Sequence, residues 1–182
     1  MISWTTISTV MAPIVYFFFI YSFLGWMLEN IHSYITKGFF FKDNFFIGPF
    51  KPMYGVAPLL LVAMITPSTH WTHVIFLCLF IPTFVEYVTG SLFTTLFHKK
   101  WWDYSTNSLN FQGHICLRYS IYWLLLSLFC VYFLHPLIER SFLLGEQLFK
   151  IVWPAVLFYF LIELFFAVRR YYLSKYTIET LG

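Results

Sequence analysis

Three carboxylates, Glu29, Glu86 and Glu163, stand inside otherwise apolar stretches, each on a stripe of small or polar residues at helical spacing. The stripes run Ser22, Gly25, Glu29, Ser33, Thr36; then Thr83, Glu86, Gly90, Thr94; then Tyr159, Glu163, Ala167, Arg170. A charge in hydrocarbon costs about 3 kcal/mol even on the gentler insertion scale, so each acid is expected to be protonated, paired or turned to water. Glu29 and Glu86 therefore read as stations for a solute or a proton, with hydrogen-bonded glue between helices as the alternative. Glu163 reads as glue, with Arg170 two turns along the same face. The embedded cation nearest to hand is Arg118, whose reach and permanent charge predict a cluster with Glu29, Glu86 or both.

Polar islands surround these acids: FLGWMLEN (23–30), IGPFKPMYG (47–55), EYVTG (86–90), WWDYS (101–105) and GHICLRYS (113–120). Trp101, Trp102 and Tyr104 suit either the lining of a polar cup or an interfacial aromatic belt. Asp103 suits the cap of a turn starting at Ser105. Gly48, Pro49, Pro52 and Gly55 suit a rigid turn that returns the chain to the membrane. His70 and His73 flank Trp71, where a solvated interface is expected rather than a metal site. Cys78, Cys116 and Cys130 are scattered singly, which predicts buried, inert thiols. No metal site and no cofactor are expected.

The elements that must position these residues follow from hydropathy. The chain is 60% hydrophobic and only 10% charged, where a soluble domain carries about 25% charged residues. Five apolar segments stand out, roughly 13–35, 53–67, 73–97, 117–137 and 151–172. Four are long enough to cross about 30 Å of hydrocarbon; the second is short and proline-bounded, so it either spans or re-enters. The expected fold is an all-α polytopic membrane bundle of about five transmembrane or membrane-buried helices, one integral membrane domain over 1–182, with an interfacial loop around 98–116. The first basic residue is Lys37, so the N-terminal helix does not read as a cleaved signal. The 24 phenylalanines carry no ligand information, because lipid tolerates any apolar side chain.

If all five segments cross, Lys37, Lys42, Lys51, Lys99, Lys100, Arg169, Arg170 and Lys175 share one side, against Arg140 and Lys150 on the other. Basic residues near helix ends stay in the cytoplasm, which predicts a multi-pass cell-membrane protein with its N-terminus outside and its C-terminus inside. Every polar island then lies on or near the cytoplasmic rim, so a cup facing the cytoplasm is expected.

Taken together, the islands resemble the bacterial family called putative ABC-transporter type IV, over about residues 13–140. The WWDYS segment and the Gly-Pro-Phe-x-Pro-x-Tyr-Gly turn carry the resemblance most specifically. It implies a small membrane protein of five or six helices with a permease-like transport role. It places Trp26, Glu29, Gly48, Pro49, Pro52, Tyr54, Gly55, Glu86, Tyr87, Gly90, Trp101, Trp102, Asp103, Tyr104 and Ser105 at motif positions. Asn110, Phe111, Gln112, Gly113 and His114 depart from the expected Asn-Leu-x-Gly pattern, which leaves Gln112 and His114 outside the candidate set.

The first functional class is thus a transport component, with Trp26, Glu29, Tyr54, Glu86, Tyr87, Trp101, Trp102, Asp103, Tyr104 and Arg118 as candidate substrate-binding residues. No Gly-x-x-x-x-Gly-Lys-Ser/Thr loop is present, so ATP hydrolysis would require a separate ATPase subunit, and the small size implies assembly with itself or another chain. Loop 37–52 or loop 98–116 would then be the docking element. The second class is an enzyme or binding protein for a membrane lipid or isoprenoid, with Glu86 or Asp103 as acid or base and Arg118 on an anionic head group; no motif names a reaction. The third is a non-catalytic membrane scaffold. Few, dispersed basic residues exclude nucleic-acid binding.

Overall fold

The computed structural model describes the backbone of residues 3–181 and the side chains of residues 3–173; Lys175, one of the basic residues of the tail, lies outside the described side chains. The protein is all-α, 77% helical, with a single hairpin of two-residue strands among the described residues. Among the described residues, three helical runs are long and apolar enough to cross a membrane, 4–37, 71–97 and 117–173.

Helix α1, Trp4–Lys37, starts earlier than the apolar run alone predicts. Ser3 caps it by accepting the Thr6 N–H, and Thr9 bonds back to the Thr5 carbonyl, so the polar first turns satisfy their own groups. It ends at Gly38, whose φ of 77° fits the left-handed cap and whose N–H reaches the Tyr34 carbonyl. Helix α2, Pro52–Met64, begins with proline at its first position, where no N–H is needed. Its 13 residues extend about 20 Å, short of the hydrocarbon thickness. Helix α3, Trp71–Phe97, is followed by strands β1, Asn110–Phe111, and β2, Ile115–Cys116. Helix α4, Leu117–Phe129, then continues through a π turn, Cys130–Leu134, into helix α5, His135–Leu181.

The chain groups into two compact units. The first comprises Met1–Gly55 and Phe133–Ala167. Its core joins Ala12 and Val15 of α1 to Phe142 and Trp153 of α5, with Tyr16, Phe17 and Phe149 packed around them. Polar ties register the helices: Trp153 donates its indole N–H to Ser8, Tyr16 bonds Ser141, and the Tyr21 hydroxyl lies 2.7 Å from His135 Nδ1. These contacts show that the long helical run is not straight. His135 packs on Phe17, and Phe160 on Phe18 and Phe19. On a straight helix residues 135 and 160 would stand about 38 Å apart. The run must therefore fold back between them, in the stretch where Leu144 is 92% exposed.

The second unit comprises Val56–Tyr132 and Val168–Gly182. Helices α3 and α4 pack side by side. Leu61, Val74 and Cys78 form the buried core, against Ile81, Leu124 and Leu128 among others. All three cysteines are buried and free, as single thiols among apolar neighbours should be.

Candidate functional site

The first unit holds a charged cluster at the end of α1. The Glu29 carboxylate receives both Lys42 and Lys51 at 2.9 Å, its side chain 18% exposed and that of Lys51 13%. Asn30, fully buried, donates to the Trp26 carbonyl and accepts the Lys42 backbone N–H, while the Lys51 N–H reaches the Ser22 carbonyl. The segment between α1 and α2 is thus tied to α1 at both ends. Its middle is apolar: Phe45, Phe46 and Phe50 are buried, and Phe46 stacks on Phe160. Asn44 closes the turn by donating to the carbonyls of Gly48 and Phe50.

Glu163 of α5 accepts the N–H groups of Ile47 and Gly48 on one oxygen and the Tyr159 hydroxyl on the other. It is structural glue, as its stripe predicts, but its partners are backbone amides rather than Arg170, which donates to Tyr171. Tyr54 lies so close over Gly25 that any side chain there would overlap its ring. Gly55 in turn sits against Ser22 and Phe18. Trp26 stacks with Phe23, meets Phe40 edge-on and packs on the tilted ring of Phe41.

The second unit holds a knot built on α3. Glu86 is 3% exposed and accepts the Tyr104 hydroxyl at 3.0 Å. The Tyr104 ring stacks on Tyr119 of α4 at 4.4 Å, so a loop side chain is wedged between a buried acid and a neighbouring helix. One turn on, Gly90 leaves room for His114 and Trp102, and Trp102 donates its indole N–H to the His114 carbonyl at 2.8 Å. Tyr87 contacts the rings of Phe111 and His114 and donates to Gln112. Trp101 packs on Phe93 at 4.4 Å.

Asp103 accepts the Ser105 N–H and pairs with Lys100, the turn-capping role its position predicts. The Ser105 amide and the Lys100 ammonium hold its carboxyl below the usual carboxylate range. Asn110 braces the loop by donating to the carbonyls of Ser105 and Asn107 and accepting the Gly113 N–H. Gly113 has a φ of 73° and sits directly against Asp103, so it is the residue that lets the loop close.

The expected cluster of Arg118 with Glu29 or Glu86 is not formed. Arg118 is exposed, donates to the Tyr122 hydroxyl four residues along its own helix, and has no acid partner among the described residues. Glu29 is met by Lys42 and Lys51 and Glu86 by Tyr104, so loop residues supply the partners that a helix-borne cation was expected to supply. Lys42, Lys51, Asn30 and His114 are the residues that sequence reasoning missed. The two lysines were legible only as topology signals, and His114 only as a departure from a motif.

Long apolar helices carrying buried carboxylates define a helical membrane protein. The chain matches the model of the family described as putative ABC-transporter type IV over residues 16–168, and it belongs to that family. No curated protein and no solved structure matches it.

Proposed function

We propose that this chain is a multi-pass transport component, a permease-like subunit whose 98–116 loop governs access to Glu86 from the cytoplasm. The observation that carries the reading is the Tyr104 hydroxyl on Glu86, a carboxylate 3% exposed on a helix apolar enough to cross a membrane. A water-side loop thereby meets the buried acid of α3 through a hydrogen bond, worth about 1 kcal/mol, that a docking partner can exchange. Glu86, Tyr87, Trp102 and Tyr104 are the substrate-facing residues in this reading. Glu29, with two lysines on it, is a structural tie.

Five crossings fit the reading: α1, α2, α3 and the two legs of the folded-back run, with α2 a short span. The N-terminus then lies outside and the C-terminus in the cytoplasm, on the side of Lys42 and Lys100. Energy comes from a separate ATPase subunit, because this chain carries no phosphate-binding loop.

Gentle detergent purification with native mass spectrometry is the test of composition. A co-purifying ATPase whose capture weakens on alanine substitution across 98–104 is expected, and ATP turnover that tracks the purified chain alone would overturn the reading. Cysteines placed near Lys42 and Lys100 should be shielded from an impermeant reagent outside intact cells, and one near Ser141 labelled. Labelling at 42 with protection at 100 would mean that α2 re-enters rather than spans.

A further inference from the structure

Two ammonium groups converge on one acid where α1 meets the segment that follows it. Lys42 and Lys51 both donate to the same Glu29 oxygen, Oε2, at 2.9 Å, so their nitrogens stand no further apart than twice that distance. An ammonium carries three N–H donors, and each lysine uses one of them on the shared oxygen. The single carboxylate balances one of the two charges. The sequence from 29 to 51 holds Lys37, Lys42 and Lys51 against Glu29 and Asp43, so a positive charge remains even when both acids are counted.

The backbone positions both lysines without help from the carboxylate. The Lys42 N–H is fixed at 2.8 Å by the side-chain oxygen of Asn30, and the Lys51 N–H at 3.1 Å by the Ser22 carbonyl. Between them in the chain, Phe45, Phe46 and Phe50 are buried, so the segment cannot swing out and separate the charges without exposing three rings. The Lys51 side chain is 13% exposed and that of Lys42 33%, which leaves an approach on the Lys42 side.

A further donor stands on the same stripe. Ser33 lies one turn beyond Glu29, its Cβ about 6 Å from that of the acid. It is 3% exposed, and its hydroxyl has no hydrogen-bond partner among the described residues. A buried hydroxyl is ordinarily bonded, and in a helix the carbonyl four residues back is the usual acceptor. Two close ammoniums and a hydroxyl suit an acceptor that presents several oxygens on one centre, as a phosphate does. A singly charged phosphate also brings the two lysines and Glu29 to neutrality.

We infer that Lys42, Lys51 and Ser33 bind a phosphate group beside Glu29. The cluster keeps its structural role, and the site stands apart from the route to Glu86, whatever solute the chain carries.

The test follows the melting of the full chain in a maltoside detergent as inorganic phosphate replaces chloride at constant ionic strength. The native chain should show a saturable rise in melting temperature. Lys42→Gln and Lys51→Gln should each weaken phosphate about tenfold, the scale of a hydrogen bond to a charged group. Lys150→Gln should bind as the native chain does. Ser33→Ala removes a hydroxyl that bonds nothing among the described residues, so it should melt normally without phosphate and bind phosphate about fivefold more weakly. That variant keeps the test decisive if the lysine variants do not fold. Mixed micelles with phosphatidylglycerol or phosphatidylcholine identify the source. A rise with phosphatidylglycerol alone, sensitive to the same substitutions, assigns a lipid head group, whereas a rise with inorganic phosphate assigns a soluble phosphate. No response of the native chain to either, a response that survives Lys42→Gln with Lys51→Gln, or one untouched by Ser33→Ala would overturn the inference.

Discussion

The two long loops that sequence reasoning treats alike, 38–51 and 98–116, are built on different physics. The first is packed: three phenylalanines are buried in it, Glu29 and Glu163 hold it from two helices, and Asn44 closes its turn. The second is braced by its own polar groups, with Asn110, Phe111 and Gln112 exposed and one hydroxyl reaching Glu86. Removing a contact from the first leaves buried groups unsatisfied, whereas opening the second lifts Tyr104 off Tyr119 and Trp101 off Phe93 and breaks the hydrogen bond to Glu86. The contrast is between a loop locked by partly buried charge and one held by ring stacking and its own polar braces.

The sharpest way to break this comparison is Glu29→Ala, which strands Lys42 and Lys51 in a partly buried site. About 2–3 kcal/mol of stability should be lost, read as a lower melting temperature in detergent, because removing one partner of a buried pair leaves charge without compensation. Unchanged melting would mean that the lysines reach water freely and that the 38–51 loop is not tied down. Glu163→Ala should cost about 1–3 kcal/mol, since two backbone amides lose their acceptor, while Glu163→Gln should recover part of it by accepting through its amide oxygen.

In the second loop Tyr104→Phe keeps the stacking on Tyr119 and deletes only the hydroxyl. A loss of about 1 kcal/mol is expected, with faster hydrogen exchange confined to 98–116. A global drop in melting temperature as large as that of Glu29→Ala would erase the distinction between the loops. The smallest effect concerns Asp103. Its carboxyl is held below the usual range, so its contribution to the turn is full above the unfolded-state pKa and is lost as pH falls through the lower folded-state value. Protection of the Ser105 amide should thus stay constant from pH 7 to about pH 5 and decline only below the ordinary aspartate pKa, near 3.9. Asp103→Asn should remove that dependence while keeping the turn. A decline between pH 7 and pH 5 would show that another group controls the loop.

Much of the site was legible before any coordinates. Glu86 and Gly90, predicted on an inward stripe, are buried and face the loop; Ser22, Gly25 and Ser33 are buried on α1 as their spacing requires. Asp103 caps Ser105 because that interaction is local in sequence. The failure at Arg118 is instructive. Depth and sign made it a candidate partner for two acids, but both quantities describe position along the membrane normal, and pairing also requires the right direction around each helix.

That limit marks the boundary between sequence and structure here. Hydropathy and the 3.6-residue period are local properties, so the chain by itself determined that it forms apolar helices, which faces carry the polar residues, and where the polar islands interrupt them. Which cation meets which acid was decided only by tertiary structure. Lys42 and Lys51 reach Glu29 because Gly38 ends α1 and buried phenylalanines fold the following segment back along it. The same is true of the helical run after Leu117: local hydrogen bonding keeps it helical almost throughout, while the packing of His135 and Phe160 on the same turn of α1 makes it double back. Contacts of that kind depend on the closure of many residues at once, and no window of sequence contains them.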